Sequence, residues 1–387
     1  MNGELKVKKD WEYIKLSDAC TIHGRIGWQG LTRAEHRTSG DYLLITGTDF
    51  TEDNRINLDT CVYVDEFRYT QDENIQIRKN DLLITKDGTL GKLALITEEL
   101  PKPATLNGGI FVIRDKINKL YPQFLLNYMK SDAFRKIIHN HRTGSTVPHL
   151  TQNMLVNFPI PVPPLEEQKR IVKILDEKFA QLETIKANAQ TNLQNAKDLF
   201  QSQLTIAFGN TTWKKKKFSE FFKLSSGDYL NSKSIVKGEY PIYGGNGIID
   251  YHKEYNLTGD NIIIGRVGAL CGNARYISEP IWLTDNAFKL TFIDFKYDYA
   301  FITYLLNHIN LRSFARQAAQ PVISNSSLKD IEIPLPPLPE QKHIVKELDT
   351  LSEKVRQLQK IYTKQIANCD ELKQSYLQKA FEGELDN

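Results

Sequence analysis

Two cations stand at the same place in two related stretches of the chain, and their setting could bind an anion. Lys86 and Arg266 each follow a short apolar run and precede a glycine, Gly88 or Gly268. This order is typical of a strand that ends in a turn, and glycine lets a ligand approach the backbone closely. Such side chains contact phosphates or guanine. The sequence predicts one of these contacts, or equally an ion pair that maintains the fold.

Two glycine-flanked loops carry residue types that could read base edges. The first contains Arg25, Trp28 and Gln29, and the second contains Tyr243 and Asn246. Amide side chains pair with adenine and guanidinium groups with guanine. Base contacts are therefore slightly favoured over plain turn chemistry or, for Trp28, burial.

Further basic and hydroxyl side chains lie near the returns to two long helical segments. Arg142 and Thr146 precede the first segment, and Arg312 and Arg316 precede the second. They are candidates for contacts with backbone phosphates, and solvated surface is an equally good interpretation. The run at 214–217, four lysines, is most simply a solvated surface that could also touch phosphate.

Enzyme motifs are incomplete, so the sequence predicts no catalytic residue and no metal ligand. His139-Asn140-His141 spells the HNH triplet of some nucleases but lacks a second set of ligands. The glycines at 244–247 are not followed by the Lys-Ser/Thr pair of a nucleotide loop. An aromatic-flanked Asn/Asp-Pro-Pro segment of amino-methyltransferases is also missing. Catalysis is therefore expected on a partner.

One stretch occurs twice and organises the chain. Residues 160–176 read IPVPPLEEQKRIVKILD and residues 333–349 read IPLPPLPEQKHIVKELD, identical at 13 of 17 positions. Chance does not give this match, so the chain is an internal duplication. In each copy the Pro-Pro pair forbids a helix before the leucine, and an acidic first turn favours one after it.

Each copy leads into a long segment with heptad spacing, at 165–208 and 338–381. A helix of 44 residues is roughly 66 Å long and needs a partner helix. We expect the two segments to pair antiparallel, with a globule at each end. The first predicted seam is Ile171, Leu175, Lys178, Leu182, Ile185, Ala189, Asn192, Ala196, Leu199, Gln203 and Ile206. The second is Ile344, Leu348, Leu351, Val355, Leu358, Tyr362, Gln365, Cys369, Leu372 and Tyr376.

Between these segments, short β-branched runs bounded by Gly, Asp, Asn or Pro predict strands. In the first globule they are 42–45, 61–64, 81–85, 93–96 and 110–113, with a helix over 121–138; a matching helix is predicted over 299–314. The two globules otherwise share little sequence.

Composition excludes some classes. The 387 residues are 41% hydrophobic and 25% charged, and no apolar run reaches the roughly 18 residues of a membrane helix. The first ten residues are polar, and four well-separated cysteines predict reduced thiols, so we expect a cytoplasmic protein. Residues 11–156 hold 18 basic and 18 acidic groups, whereas residues 211–329 hold 15 and 10. Any DNA contact in the first globule must use local patches.

The chain resembles the specificity subunits of type I restriction–modification systems over nearly its whole length. The resemblance rests on the doubled IPxPPLxEQxxI signature and on the openings Trp11-x4-Leu16-x-Asp18 and Trp213-x4-Phe218-x-Glu220. It implies an α+β fold with two mixed α/β target recognition domains separated by two long antiparallel helices that form a coiled coil, an internal pseudo-two-fold repeat. It divides the chain into recognition domains at 1–156 and 211–329 and repeated helical regions at 157–210 and 330–387.

The resemblance also implies the partners. They are double-stranded DNA with a bipartite asymmetric site, two methyltransferase subunits and restriction subunits, and no membrane. No cofactor is expected in this chain; S-adenosylmethionine would bind the methyltransferase, and ATP and Mg the restriction subunit. The alternative is a coiled-coil scaffold whose two globules bind ligands other than DNA. Only DNA binding should weaken steeply with salt.

Overall fold

The structure, a computed structural model, describes residues 11–27, 30–132, 134–136, 150–210, 212–294, 297–316 and 321–385. The chain forms two compact units. The first comprises Met1–Asn188 with Gln365–Asn387, and the second comprises Ala189–Lys364. Each unit contains one globule and parts of both long helices. In the described residues no helix is long and apolar enough to cross a membrane.

The first globule contains short strands and helices. The strands are β1 (Glu12–Lys15), β2 (Cys20–Gly24), β3 (Tyr42–Ile45), β4 (Val62–Val64), β5 (Leu82–Thr85), β6 (Leu93–Leu95), β7 (Ala104–Leu106), β8 (Ile110–Asp115) and β9 (Pro159–Val162). The helices are α1 (Leu16–Ala19), α2 (Glu66–Thr70), α3 (Pro122–Met129) and α4 (Gln152–Val156), followed by the long helix α5 (Leu165–Phe208). Short 3-10 helices lie at Arg33–Glu35, Leu58–Thr60 and Glu73–Ile75.

These strands form three small sheets. The order β2-β8-β5-β6 is antiparallel throughout, and in the order β4-β3-β7 the last pair is parallel. Strands β1 and β9 pair separately. The four-stranded sheet is buried on both faces, since Leu82 and Ile84 join one apolar core and Leu83 joins another. That explains why β5 is a continuous apolar run rather than an alternating one.

The second globule repeats this design. Its strands are β10 (Lys214–Lys217), β11 (Phe222–Ser226), β12 (Tyr240–Gly244), β13 (Gly247–His252), β14 (Asn261–Gly265), β15 (Ala274–Ile277), β16 (Trp282–Leu283), β17 (Ala287–Phe292) and β18 (Glu332–Leu335). Its helices are α6 (Phe218–Phe221), α7 (Tyr299–Ile309) and α8 (Asn325–Leu328), with 3-10 helices at Ser232–Ser234 and Leu311–Phe314, and the long helix α9 (Leu338–Glu382) follows.

The sheets of the two globules have the same strand order. The orders are β11-β17-β14-β15, β13-β12-β16 and β10-β18, with the pair β12 and β16 parallel as in the first globule. The topology is therefore duplicated although the sequences of the globules differ. A strand requires buried or alternating apolar positions but no particular residues, so the two globules keep the same strand topology although their sequences differ.

The five predicted strands of the first globule are confirmed, and β1, β2 and β7 were not predicted. The predicted second helix ends earlier than expected, because Asn310 adopts a left-handed conformation (φ 57°) that caps α7. The first predicted helix begins as α3, and its residues 137–138 lie outside the described part of the chain.

A buried glutamine explains the repeated signature. The Oε1 atom of Gln168 accepts from the amide of Tyr121 at 2.8 Å, and its Nε2 donates to the carbonyls of Lys119 and Pro163, both at 2.8 Å. Gln341 does the same in the second unit, accepting from Asp298 at 2.9 Å and donating to Pro336 at 2.8 Å. We call these two residues the anchor glutamines. Each ties the first turn of a long helix to the start of an earlier helix of its globule, α3 for Gln168 and α7 for Gln341.

The long helices pair antiparallel within each unit. In the first unit Lys186 binds Asp370 at 2.7 Å and Glu183 binds Lys373 at 2.9 Å, so one residue number rises as the other falls. In the second unit Leu204 of α5 and Leu348 of α9 share one core. The predicted helix pairing is confirmed.

The predicted heptad seam on α5 is only half right. Leu175, Leu182, Ala189 and Ala196 are buried, but Ile185, Leu199 and Ile206 are 40%, 45% and 66% exposed. Toward the end of α5 the buried residues are Leu204 and Phe208 instead. A single partner helix and the adjoining globule cover one row of the seam and leave the other row in solvent.

We expect Gln168→Leu to lower the free energy of unfolding by about 3 kcal/mol or more. The change leaves a backbone amide and two carbonyls without the side-chain partner that now satisfies them, at about 1–3 kcal/mol for each buried group left unpaired. Urea unfolding would measure the loss. The control is Gln181→Leu, an exposed glutamine of the same helix. Equal destabilisation by both changes would contradict the role of the anchor glutamine.

Candidate nucleic-acid interface

Lys86 and Arg266 occupy equivalent positions in the two globules. The amide of Lys86 donates to Gly109 at 2.8 Å, and its carbonyl accepts from Leu150 at 3.0 Å. The amide of Arg266 donates to Asn286 at 2.9 Å, and its carbonyl accepts from Ile323 at 2.9 Å. Each cation therefore stands where a central strand ends, between the neighbouring strand and the returning chain.

An aromatic ring holds each of these cations. The Nζ atom of Lys86 lies 4.6 Å from the ring centre of Phe111, and Cζ of Arg266 lies 5.3 Å from that of Phe288. Among the described residues no carboxylate lies within 4 Å of either cation, so a cation–π contact takes the place of the alternative ion pair. Both side chains are half-buried, and neither forms an ion pair with a described residue.

The guanidinium of Arg266 retains hydrogen-bonding capacity. Its Nη1 atom makes only long contacts, 3.4 Å to Ser226 Oγ and 3.3 Å to the carbonyl of Asp285. Its Nε atom is buried with no hydrogen-bond partner among the described residues. A donor in this state favours an incoming acceptor.

The predicted turns after these cations are confirmed. Gly88 and Gly268 have φ values of 69° and 93°, a region that residues with a side chain rarely adopt. A Cβ atom on Gly268 would also lie 2.8 Å from Oδ1 of Asn246. That oxygen accepts from the amide of Leu270 at 3.0 Å, so Asn246 links the turn to the hairpin between β12 and β13.

The second unit brings several predicted residues together around this turn. Asn246 is exposed beside it, and exposed Arg312 donates from Nη1 to the carbonyl of Ala269 at 2.7 Å. Exposed Arg316 donates its backbone amide to Val322, which itself bridges to Val267. The result is a compact basic surface at the end of β14.

The hairpin fits tightly against this strand end. A Cβ atom on Gly245 would lie 2.2 Å from the carbonyl oxygen of Val267, and one on Gly265 would lie 2.3 Å from that of Gly245. Only glycine allows this approach. The glycines of the hairpin therefore serve packing rather than nucleotide binding.

Two predicted base readers are directed into the protein instead. The guanidinium of Arg25 is buried, and it donates to the carbonyl of Leu106 at 2.9 Å and to Oγ1 of Thr105 at 3.2 Å. Burial lowers the pKa of Arg25 below its usual range. Tyr243 is buried in the apolar cluster of the second globule. Both residues are better explained as stabilising the fold, because the donors of Arg25 bind interior acceptors and the side chain of Tyr243 packs in an apolar core.

Some of the other predicted residues lie outside the part of the chain that the structure describes. Trp28, Gln29, Arg142 and Thr146, and the HNH triplet at 139–141, lie outside the described residues. The lysine run at 214–217 forms strand β10 and pairs with β18; its side chains are exposed, and Lys217 binds Asp330 at 2.9 Å.

Sequence reasoning missed Phe111 and Phe288, which hold the two cations. The signal is weak but present, because each aromatic follows a small or β-branched residue just after an Asn- or Gly-rich turn. In the described chain, no group of three or more His, Cys, Asp or Glu side chains could hold a metal ion.

Comparison with known proteins identifies the family. The model of the type I restriction modification DNA specificity domain matches residues 8–194 and again residues 210–366. The specificity subunit of the type I restriction enzyme EcoprrI of Escherichia coli is 26% identical over 305 residues, covering 73% of this chain and 74% of the relative. That of EcoBI, also from Escherichia coli, is 24% identical over 438 residues and covers 100% and 88%.

Solved structures share the fold. A chain from a structure of the assembly and conformational transition of the type I R-M system has a TM-score of 0.80 at 20% identity, covering 98% of this chain and 99% of that one. The HsdS subunit from Thermoanaerobacter tengcongensis has a TM-score of 0.62 at 20% identity over 99% of each chain. The chain thus belongs to the type I restriction modification DNA specificity family, as a specificity subunit and not a catalytic one.

Proposed function

We propose that this specificity subunit reads a bipartite, asymmetric site on double-stranded DNA, one half through each globule. The observation that carries this proposal is the equivalence of Lys86 and Arg266, each held on an aromatic ring at the same strand end without an ion pair to a described residue. A duplicated fold presents the same element to each half-site, as paired DNA-binding units do.

The two globules differ where these cations stand, which supports two different half-sequences. In the first globule, residues 46–61 connect β3 to β4, whereas Gly244 and Gly247 pair directly across the tight turn from β12 to β13. The cation is a lysine in one globule and an arginine in the other. A lysine is a point charge that suits phosphate, whereas the fork of an arginine suits O6 and N7 of guanine.

The subunit also docks two methyltransferase subunits and, with them, restriction subunits. Support comes from apolar side chains that stay exposed along both long helices. Of the predicted seams, Ile185, Leu199 and Ile206 on α5 and Leu372 on α9 are each at least 40% exposed, and Ile361 of α9, which lies outside the seam, is 58% exposed. Apolar side chains repeating along a helix suit a partner helix. S-adenosylmethionine would bind the methyltransferase, and ATP and Mg the restriction subunit.

We expect Arg266→Met to weaken binding of the assembled methyltransferase to its DNA by about 5- to 100-fold and to relax specificity at one base pair, as for loss of a guanine contact. We expect Lys86→Met to cost about tenfold or less and to reduce the slope of log affinity against log salt by about one. Fluorescence anisotropy at several salt concentrations would measure both.

The matched controls are Lys237→Met and Lys79→Met, exposed lysines of the same globules. If these controls lose as much affinity as the two test variants, the effect is one of net charge and the assignment of a special position fails.

Exchanging residues 211–329 for the corresponding segment of another family member should change one half of the recognised site and leave the other half intact. The reason is that each globule has its own apolar cores, which share no residue with those of the other unit, and its own surface turn. Sequencing of methylated adenines after co-expression with the methyltransferase would show this. A change in both halves, or in neither, contradicts separate reading by the two globules.

We expect the double variant Leu199→Glu, Ile206→Glu to weaken assembly with the methyltransferase at least tenfold while its unfolding stays within about 0.5 kcal/mol of wild type, because both positions are exposed. The control is Gln190→Glu with Gln201→Glu, exposed polar positions of the same helix. Analytical ultracentrifugation would measure assembly. Unchanged assembly of the test variant would rule out this face of α5 as the docking surface.

A further inference from the structure

A cleft of about 550 Å³ in the first unit plays no part in the interface described above. Its walls come from the connection between β3 and β4, from the loop before β6, from the end of α3 and from the last turns of α9. Phe50, Leu93 and Phe134 supply apolar wall, and four cations, Lys92, Lys130, Arg135 and Lys373, line the same space.

Two of these cations share one aromatic ring. The Nζ atoms of Lys130 and Lys373 lie 5.9 Å and 5.1 Å from the ring centre of Phe179 on α5. Lys373 also binds Glu183 at 2.9 Å. Among the described residues, no carboxylate lies within 4 Å of the Lys130 ammonium. Of the cations that line the cleft, Lys130 therefore has no ion pair with a described residue, whereas Lys373 has one.

The surroundings of Lys130 are unfavourable for its charge. Burial, together with repulsion from Lys373 and Arg135, lowers the pKa of Lys130 to about 8, against partial compensation by Asp176 and Glu183. Two carboxylates line the cleft, Glu52 and Asp370, and Asp370 already binds Lys186 at 2.7 Å. An anion that entered the cleft would relieve this excess of positive charge.

The second unit offers an internal comparison, because a neutral residue, Asn307, stands at the position equivalent to Lys130. Lys130 lies nine residues after Tyr121, and Asn307 lies nine residues after Asp298, the two residues whose amides bind the anchor glutamines. Asn307 uses its carboxamide to bind both backbone groups of Ala274, at 2.9 Å and 3.0 Å. Where the first unit has a buried ammonium, the second has a satisfied neutral amide.

We propose that this cleft binds an anion through its phosphate groups. A dianion or polyanion matches several cations in one small space better than a single carboxylate does, and apolar walls strengthen its charge-assisted hydrogen bonds by excluding water. The guanidinium of Arg135 supplies a planar fork and Lys130 and Lys373 supply point charges, the combination that proteins use on phosphates. The phosphate source is either the DNA backbone or a free nucleotide or phosphate ion.

The test uses the full-length chain in its assembled methyltransferase and three probes: inorganic pyrophosphate, ATP and a short DNA duplex. Isothermal titration calorimetry would compare wild type with Lys130→Met. We expect binding of at least one probe to weaken tenfold or more. Methionine nearly matches the lysine stem and removes a poorly solvated charge, so the thermal unfolding midpoint should not fall. The control is Lys173→Met, an exposed lysine of α5 with the same change in net charge, expected to stay within twofold.

The probes distinguish the sources. A selective loss with the duplex assigns the cleft to the DNA backbone, and a selective loss with pyrophosphate or ATP assigns it to a free phosphate compound; either result supports the proposal. The proposal is overturned if no probe binds the wild type at this cleft, or if Lys173→Met loses as much as Lys130→Met. Binding of a polyglutamate peptide in place of all three probes would likewise overturn it.

Discussion

The buried carboxamide at the start of each long helix is the constraint on which the rest of the structure depends. A glutamine carries an acceptor and a donor pair on one flexible stem, so it can satisfy an amide and carbonyls from two segments at once. Gln168 and Gln341 do this at equivalent places in the two units. Each follows a proline-rich strand, β9 or β18, whose prolines prevent the helix from starting earlier. Each helix therefore leaves its own globule at a fixed point and in a fixed direction.

Apart from these equivalent helix starts, the two globules share one strand topology but differ in their surfaces. Strands such as β5 and β14 are buried on both faces, and any well-fitting apolar residues can build them. The connections at the strand ends face solvent and are free to differ in length. In the first globule the connection from β3 to β4 comprises residues 46–61. Its buried Asp49 accepts hydrogen bonds from the hydroxyls of Thr46 and Thr60 at 2.9 Å and 2.8 Å, which order the connection.

The cations that carry the proposed function are held by rings rather than by carboxylates. A carboxylate would position a lysine or arginine but would also neutralise it. A phenylalanine face positions the cation and leaves its charge for a ligand. The same device recurs at Lys86, at Arg266 and at Lys130 above Phe179. It explains how the first globule, with no net basic excess, can still present local positive charge.

Residue patterns predicted the positions of the central strands and the turns after Lys86 and Arg266. They could not predict that Phe111 and Phe288 lie beneath those cations, because strands distant in sequence meet only through sheet pairing. They misplaced Arg25 and Tyr243, since the same residue types serve turns, cores and base contacts. They also predicted more buried positions in the helix seam than the structure shows, because periodicity indicates which positions are apolar and not how many of them a partner covers.

The duplication, the two long helices and their antiparallel pairing could be predicted from the sequence, since each follows from local patterns and an internal repeat identical at 13 of 17 positions. Only the tertiary structure decided which cations stay unpaired, which glycines permit close packing and where the cleft of the first unit opens. Those properties depend on distances between side chains from separate elements, and such distances exist only after the chain has folded.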